Sequence, residues 1–152
     1  MAFSNEILIR LAIFLLGICG FLVARHIYKH KKENKPLVCP IGFECDFVVK
    51  SDYSQFMGVS LEIFGMIYYA SLSLFYLLSL FVFSIIPAIL SSFLLLASLG
   101  AFLFSLYLLC LQIFVLKKGC SWCVVSALIS ILIFILTALN YDFSFFEQIF
   151  LK

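Results

Sequence analysis

An all-α fold is predicted: a membrane-embedded four-helix bundle, with a polar loop and a short interfacial helix covering its candidate site. Three observations predict it. The 152 residues are 65% hydrophobic and 12% charged, where soluble domains sit nearer half and a quarter. Residues 63–116 contain no charged side chain. That run is far too long for one crossing, at about 1.5 Å per helical residue and about 30 Å of hydrocarbon. Two further apolar runs, at about 7–24 and 120–139, each have the length of a span. The chain is too short for two membrane domains and leaves no room for a separate soluble one. We therefore read 1–152 as one four-span membrane domain, with a cysteine-bearing loop at 25–60. The net charge of +2 says little about partners. Membrane lipid is expected as one, and nucleic acid is not.

The first span is read as retained. The N-terminus holds one Arg and one Glu in its n-region and has no strong small-residue cleavage site, unlike a signal peptide. Arg10 lies close enough to its end to snorkel. The loop opens with Arg25, His26, Lys29, His30, Lys31 and Lys32 and carries Cys39 and Cys45. After Cys45, Asp46 suits the start of a short helix. Phe47, Val48, Tyr53, Phe56 and Met57 would form its apolar side, lying flat over the bundle. The uncharged run divides best at Ser84-Ile85-Ile86-Pro87, because proline suits a first helical turn. That gives spans at about 63–83 and 87–116. Lys117-Lys118-Gly119 makes a tight turn, and the last span starts at or near Cys120. An aromatic, weakly amphipathic tail follows at 140–152.

Four spans put both termini on one side of the membrane and both cysteine pairs on the other. One pair is Cys120-Ser-Trp-Cys123, the spacing at which two thiols open and close a disulfide as a redox couple. At a helix N-terminus, Cys120 would gain thiolate character from the helix dipole. The bland alternative is a static disulfide or two inert thiols. Cys39 and Cys45, six apart, read equally as a stapled loop or as a second couple. A four-cysteine zinc site fits one pair but not the wider one, so no metal is expected. Cys19 and Cys110, inside spans, read as small apolar residues. Glu62 and Gln112 lie near span ends, where solvation at the interface accounts for them. Trp122, Tyr68, Tyr69 and Tyr107 read as interface anchors or packing, with Trp122 also able to shield a disulfide. His26 and His30 share a face if the first helix continues, as a basic solvated helix end rather than a metal site.

Taken together, Cys39, Cys45-Asp46-x-Val48-x-x-Ser51-x-Tyr53-Ser54, Gly58-Val59, Gly65, Tyr68-Tyr69 and Cys120-x-x-Cys123-x-x-Ser126-Ala127 resemble the vitamin K epoxide reductase family. The form resembles prokaryotic members that supply oxidising power for disulfide formation. The resemblance covers essentially the whole chain and implies an order. Cys39 and Cys45 would be the loop couple, attacked by a separate thioredoxin-fold dithiol protein. Cys45 would pass electrons to Cys120 through a mixed disulfide. Cys123 would face a quinone of ubiquinone or menaquinone type, among the outer ends of the helices. Ser51 would help hold the loop, its alternative reading being a helix cap. Family members that reduce the epoxide place an amide and a tyrosine near the quinone. The aligned positions here are Leu61 and Ala127, which, with Gly65, would line its site without donating a hydrogen bond. That argues against epoxide reduction and leaves simple quinone reduction open.

Orientation is contested within the sequence. The cysteine side holds Arg25, Lys29, Lys31, Lys32, Lys35, Lys50, Lys117 and Lys118, which by the positive-inside rule would be cytoplasmic. Disulfide chemistry and the resemblance favour a cell-membrane protein with its site extracytoplasmic and its termini cytoplasmic. Two rival functions follow from the same residues. One is a transmembrane carrier of reducing equivalents using Cys19 or Cys110. The other is a non-enzymatic scaffold with structural disulfides or zinc.

Overall fold

The computed structural model describes residues 2–39, 45–81 and 88–150, with side chains over 4–39, 45–81 and 89–141. It is all-α apart from one small hairpin. Helix α1 spans Ala2–Lys32, α2 Cys45–Val49, α3 Leu61–Phe81, α4 Ala88–Cys110 and α5 Ser121–Phe150. Four helical segments are long and apolar enough to cross a membrane: Ser4–Lys32, Leu61–Phe81, Ile89–Leu116 and Ser121–Tyr141. The break expected at 84–87 lies outside the described residues.

The loop begins later than the charge pattern suggested. α1 runs unbroken through Arg25 to Lys32, since no Gly or Pro falls within that stretch and four basic side chains in the last turn complement the dipole. It stops at Asn34, whose φ of 52° is left-handed. The Asn34 and Lys35 N–H groups bond back to the Lys31 and His30 carbonyls at 3.4 and 3.1 Å, which satisfies the last turn. At the other end, the Arg10 guanidinium meets the Ser79 carbonyl at 3.4 Å and Glu6 at 3.9 Å.

α1 packs chiefly on α3 and α5, and α4 chiefly on α5. Gly20 permits the first contact: a Cβ there would sit 2.5 Å from the Tyr69 ring. Ile13, Tyr69, Leu72, Tyr76, Ile129 and Ile133 form the core between α1, α3 and α5. Among the described residues α3 and α4 make little contact with each other, which leaves a space between them.

Between α2 and α3, Asp52–Ser54 makes a single 3-10 turn, and Gln55–Phe56 (β1) pairs antiparallel with Val59–Ser60 (β2). Met57 and Gly58, with φ of 53° and 82°, turn the hairpin, the geometry that two-residue hairpins favour. The apolar side expected of this segment is corrected. Cys45, Val48 and Val49 are buried, whereas Phe47, Tyr53, Phe56 and Met57 are exposed. A five-residue helix has one inward face, and Cys45 occupies it. α4 continues as a π-helical turn over Leu111–Leu116 and ends at Lys117, φ 52°. α5 continues past the expected end of its span to Phe150.

Candidate functional site

Cys39 and Cys45 are joined in a disulfide. The sulfurs of Cys39, Cys45 and Cys120 all lie within 4.8 Å of one another. Cys45 and Cys120 are 1% and 0% exposed, while Cys39 is partly exposed. Ile27, Leu37, Val48 and Val49 pack around them. The second pair is held by the start of α5. Cys120 stands just before the helix, and its carbonyl takes the first helical N–H, from Val124, at 3.0 Å. Its sulfur accepts the Cys123 N–H at 3.4 Å, where a capping oxygen would normally sit. The Cys120 thiol is held below its ordinary range. The Cys123 side chain hydrogen-bonds it, and the Cys123 and Trp122 N–H groups assist, against burial and the Glu62 charge. A thiol held this way is the more reactive partner in exchange.

Side chains pin the loop over this centre. Trp122 donates from Nε1 to the Val38 carbonyl at 3.3 Å and lies 4.7 Å from the His26 ring. His26 and His30 share a face, their rings 4.5 Å apart. Lys118 sits 4.6 Å over the Phe47 ring. Ser51 makes no N-terminal cap. Its hydroxyl donates to the Val48 carbonyl at 2.7 Å, closing the end of α2. Ser54 donates to the Ser51 carbonyl at 2.7 Å and accepts from Lys31 at 2.8 Å. Lys31 also pairs with Glu62 at 3.4 Å. This chain of contacts fastens α1, the loop and α3 together.

Behind the sulfurs lies a cavity of about 570 Å³ between α3, α4 and α5, with Cys123, Leu61, Gly65, Ala127 and Ser51 in its wall. Two expectations are corrected here. Glu62 and Gln112 are not solvated at the interface. Glu62 is held by Lys31. Gln112 is 5% exposed, and its Oε1 accepts the Cys120 N–H at 3.4 Å. The same amide reaches the Cys123 side chain. Gln112 lies in the π-helical turn at the end of α4, a feature frequent at functional sites. Lys31 was visible in the sequence only as one of several loop cations. Its spacing from Ser54 and Glu62 gives no signal before the loop folds back. Cys19 and Cys110 are exposed on the helix surfaces and are not brought to the site.

Across the chain, the model of the vitamin K epoxide reductase family matches residues 8–138. The chain belongs to the vitamin K epoxide reductase family. No curated protein matches it. Membership in the vitamin K epoxide reductase family makes the chain a multi-pass membrane oxidoreductase acting on disulfides, and the clustered cysteines fit that chemistry.

Proposed function

We propose that the protein oxidises a separate thioredoxin-fold dithiol partner and passes the electrons through its two cysteine pairs to a quinone. The whole of 1–152 acts as one four-span domain, with the 25–60 segment as the cysteine-bearing loop. The observation that carries this reading is the meeting of the Cys39, Cys45 and Cys120 sulfurs within 4.8 Å, with Cys123 in the cavity wall behind them.

The partner's thiolate attacks the Cys39 sulfur, the more accessible of its pair. Its second thiol resolves the mixed disulfide, leaving the partner oxidised and Cys39 and Cys45 as thiols. Cys45 then attacks Cys120 of a Cys120–Cys123 disulfide, forming a Cys45–Cys120 bond and releasing Cys123 as thiolate. Cys39 attacks Cys45 in turn. This restores the loop disulfide and leaves Cys120 and Cys123 reduced, the state of the described structure. Ser51 and the Lys31 contacts hold Cys45 over Cys120 through these steps.

A quinone, ubiquinone or menaquinone in type, would accept two electrons and two protons per cycle and so return Cys120 and Cys123 to the disulfide. The cavity suits such a group. Its volume lies within the usual range for small-molecule sites. Tyr68 lies in its wall, and the buried hydroxyl of that residue has no partner among the described residues. Cys123, Leu61, Gly65 and Ala127 would flank the ring. The little contact between α3 and α4 would admit it from the lipid.

Purified protein mixed with a reduced dithiol partner and quinone tests this. Quinone absorbance is expected to fall, and Cys120→Ser or Cys123→Ser to stop the fall. Folded protein that leaves quinone unreduced would refute the reading. The cysteine face is proposed to be extracytoplasmic, despite its excess of Lys and Arg. An impermeant thiol reagent should then reach Cys39 in intact, reductant-treated cells. Labelling seen only after lysis would reverse the orientation.

A further inference from the structure

Two consecutive tyrosines on α3 meet opposite fates. Their rings lie 5.3 Å apart. The Tyr69 hydroxyl contacts the Ser126 carbonyl at 3.0 Å, the Ser126 hydroxyl at 3.1 Å and the Ser130 hydroxyl at 2.7 Å. It ties α3 to α5. The Tyr68 hydroxyl is buried with no partner among the described residues, and the residue lines the cavity. Successive helical residues point about 100° apart, so Tyr69 faces α5 while Tyr68 faces the space before α4.

An unpaired buried hydroxyl is costly, and a membrane interior offers no water to relieve it. Several polar groups of the wall are already engaged. Ser126 and Ser130 hold Tyr69, Ser51 bonds the Val48 carbonyl, Ser54 bonds the Ser51 carbonyl, and Glu62 holds Lys31. Leu61 and Ala127 have no side-chain donor. What the cavity offers an occupant is therefore a largely apolar enclosure, one of whose wall residues carries an unspent, buried phenolic O–H. The ring carbonyl oxygens of a quinone are acceptors that carry no donor of their own, and they complement that hydroxyl.

We propose that Tyr68 is the quinone-orienting residue of this protein, its hydroxyl donating a hydrogen bond to one ring carbonyl oxygen of the bound quinone. This rests on the quinone reading above and adds the group that would fix the ring beside Cys123. Geometry of this kind governs reaction through placement.

The test uses fully oxidised protein, which cannot turn over, in lipid nanodiscs. It is titrated with 2-methyl-1,4-naphthoquinone and, separately, ubiquinone-1. Binding is read by quenching of Trp122, the single tryptophan. The quinone carbonyl stretch is read by infrared difference spectroscopy. Bound to the wild type, the tighter probe should show one carbonyl band lowered relative to the same quinone in lipid. Tyr68→Phe should abolish that lowering and weaken binding by about two- to tenfold, the range of one neutral hydrogen bond. The quinone-free Tyr68→Phe protein should melt no lower than the wild type, because no protein contact is lost. Tyr69→Phe, which loses its α5 contacts, should melt lower. A Tyr68→Phe protein that keeps both the band position and the affinity would overturn the inference and leave the relay standing. A drop in melting temperature as large as that of Tyr69→Phe would also overturn it, assigning the hydroxyl a structural role. If neither quinone binds the wild type, the quinone reading falls, and this inference with it.

Discussion

The two buried clusters of the molecule are built on different terms. Between α1, α3 and α5, the core is made of large side chains, Ile13, Leu72, Tyr76 and Ile133, with Gly20 admitting the Tyr69 ring. At the cysteine end, the buried cluster comprises Ile27, Leu37, Val48 and Val49 around Cys45 and Cys120. There the reactive sulfurs are themselves core atoms, and polar ties through Lys31, Ser51, Ser54 and Gln112 supply what bulk does not. The expectation that follows is that one end carries stability and the other sets geometry. The bundle should lose a methyl and keep its chemistry. The cysteine end should keep its fold and lose function through a single contact.

The widest separation of the two should come from Ile133→Ala set against Cys120→Ser. Ile133 is fully buried, and its truncation should cost about 2–5 kcal/mol while turnover per folded molecule holds. Cys120→Ser should bring dithiol-dependent quinone reduction to background with a smaller loss in melting temperature. If Ile133→Ala lowers turnover per folded molecule as far as Cys120→Ser does, the division into two terms fails.

Lys31→Met comes next. It leaves Glu62 poorly solvated and unpaired, at about 1–3 kcal/mol. The loss should appear locally, as faster amide exchange in α2 and the hairpin with α5 unchanged. Uniform acceleration across all helices would make Lys31 an ordinary bundle residue.

A third measurement sharpens the cysteine end alone. With the loop disulfide intact and Cys19 and Cys110 replaced by Ala, thiolate absorbance should rise with pH at a midpoint below the ordinary thiol range, because Cys123 hydrogen-bonds the charged form of Cys120. Above that midpoint Cys120 is charged and nucleophilic; below it the group is protonated and exchange slows. Cys123→Ala removes the largest stabilising contact and should move the midpoint upward. An unmoved midpoint would assign the effect to the helix N–H groups.

The smallest expected effect is Ser51→Ala. It removes one hydroxyl bond to the Val48 carbonyl, about 1 kcal/mol, and should reduce turnover more than melting temperature. The reverse order would make Ser51 only a helix terminator.

Much of this was legible in advance. The cysteine pairing on one face needed only a span count, and Cys120 at the mouth of α5 followed from the tight Lys117-Lys118-Gly119 turn. Leu61, Gly65, Ala127 and Cys123 were singled out by resemblance and line one cavity. Lys31, Gln112 and the division of labour between Tyr68 and Tyr69 were not legible. Lys31 meets partners 23 and 31 residues away, and Gln112 depends on a π-helical turn that no local propensity announces.

The sequence by itself determined the solvent of this protein, the number of candidate spans and that its two cysteine pairs lie at the same end of them. Those follow from apolar length alone, because a backbone in lipid must satisfy itself within a helix. Tertiary structure decided which face of each helix turns inward. In a water-soluble helix an apolar stripe gives that away. Here the lipid is as apolar as the core, so both faces read alike in the sequence. Only packing put the Tyr69 hydroxyl on α5 and Tyr68 in the cavity wall.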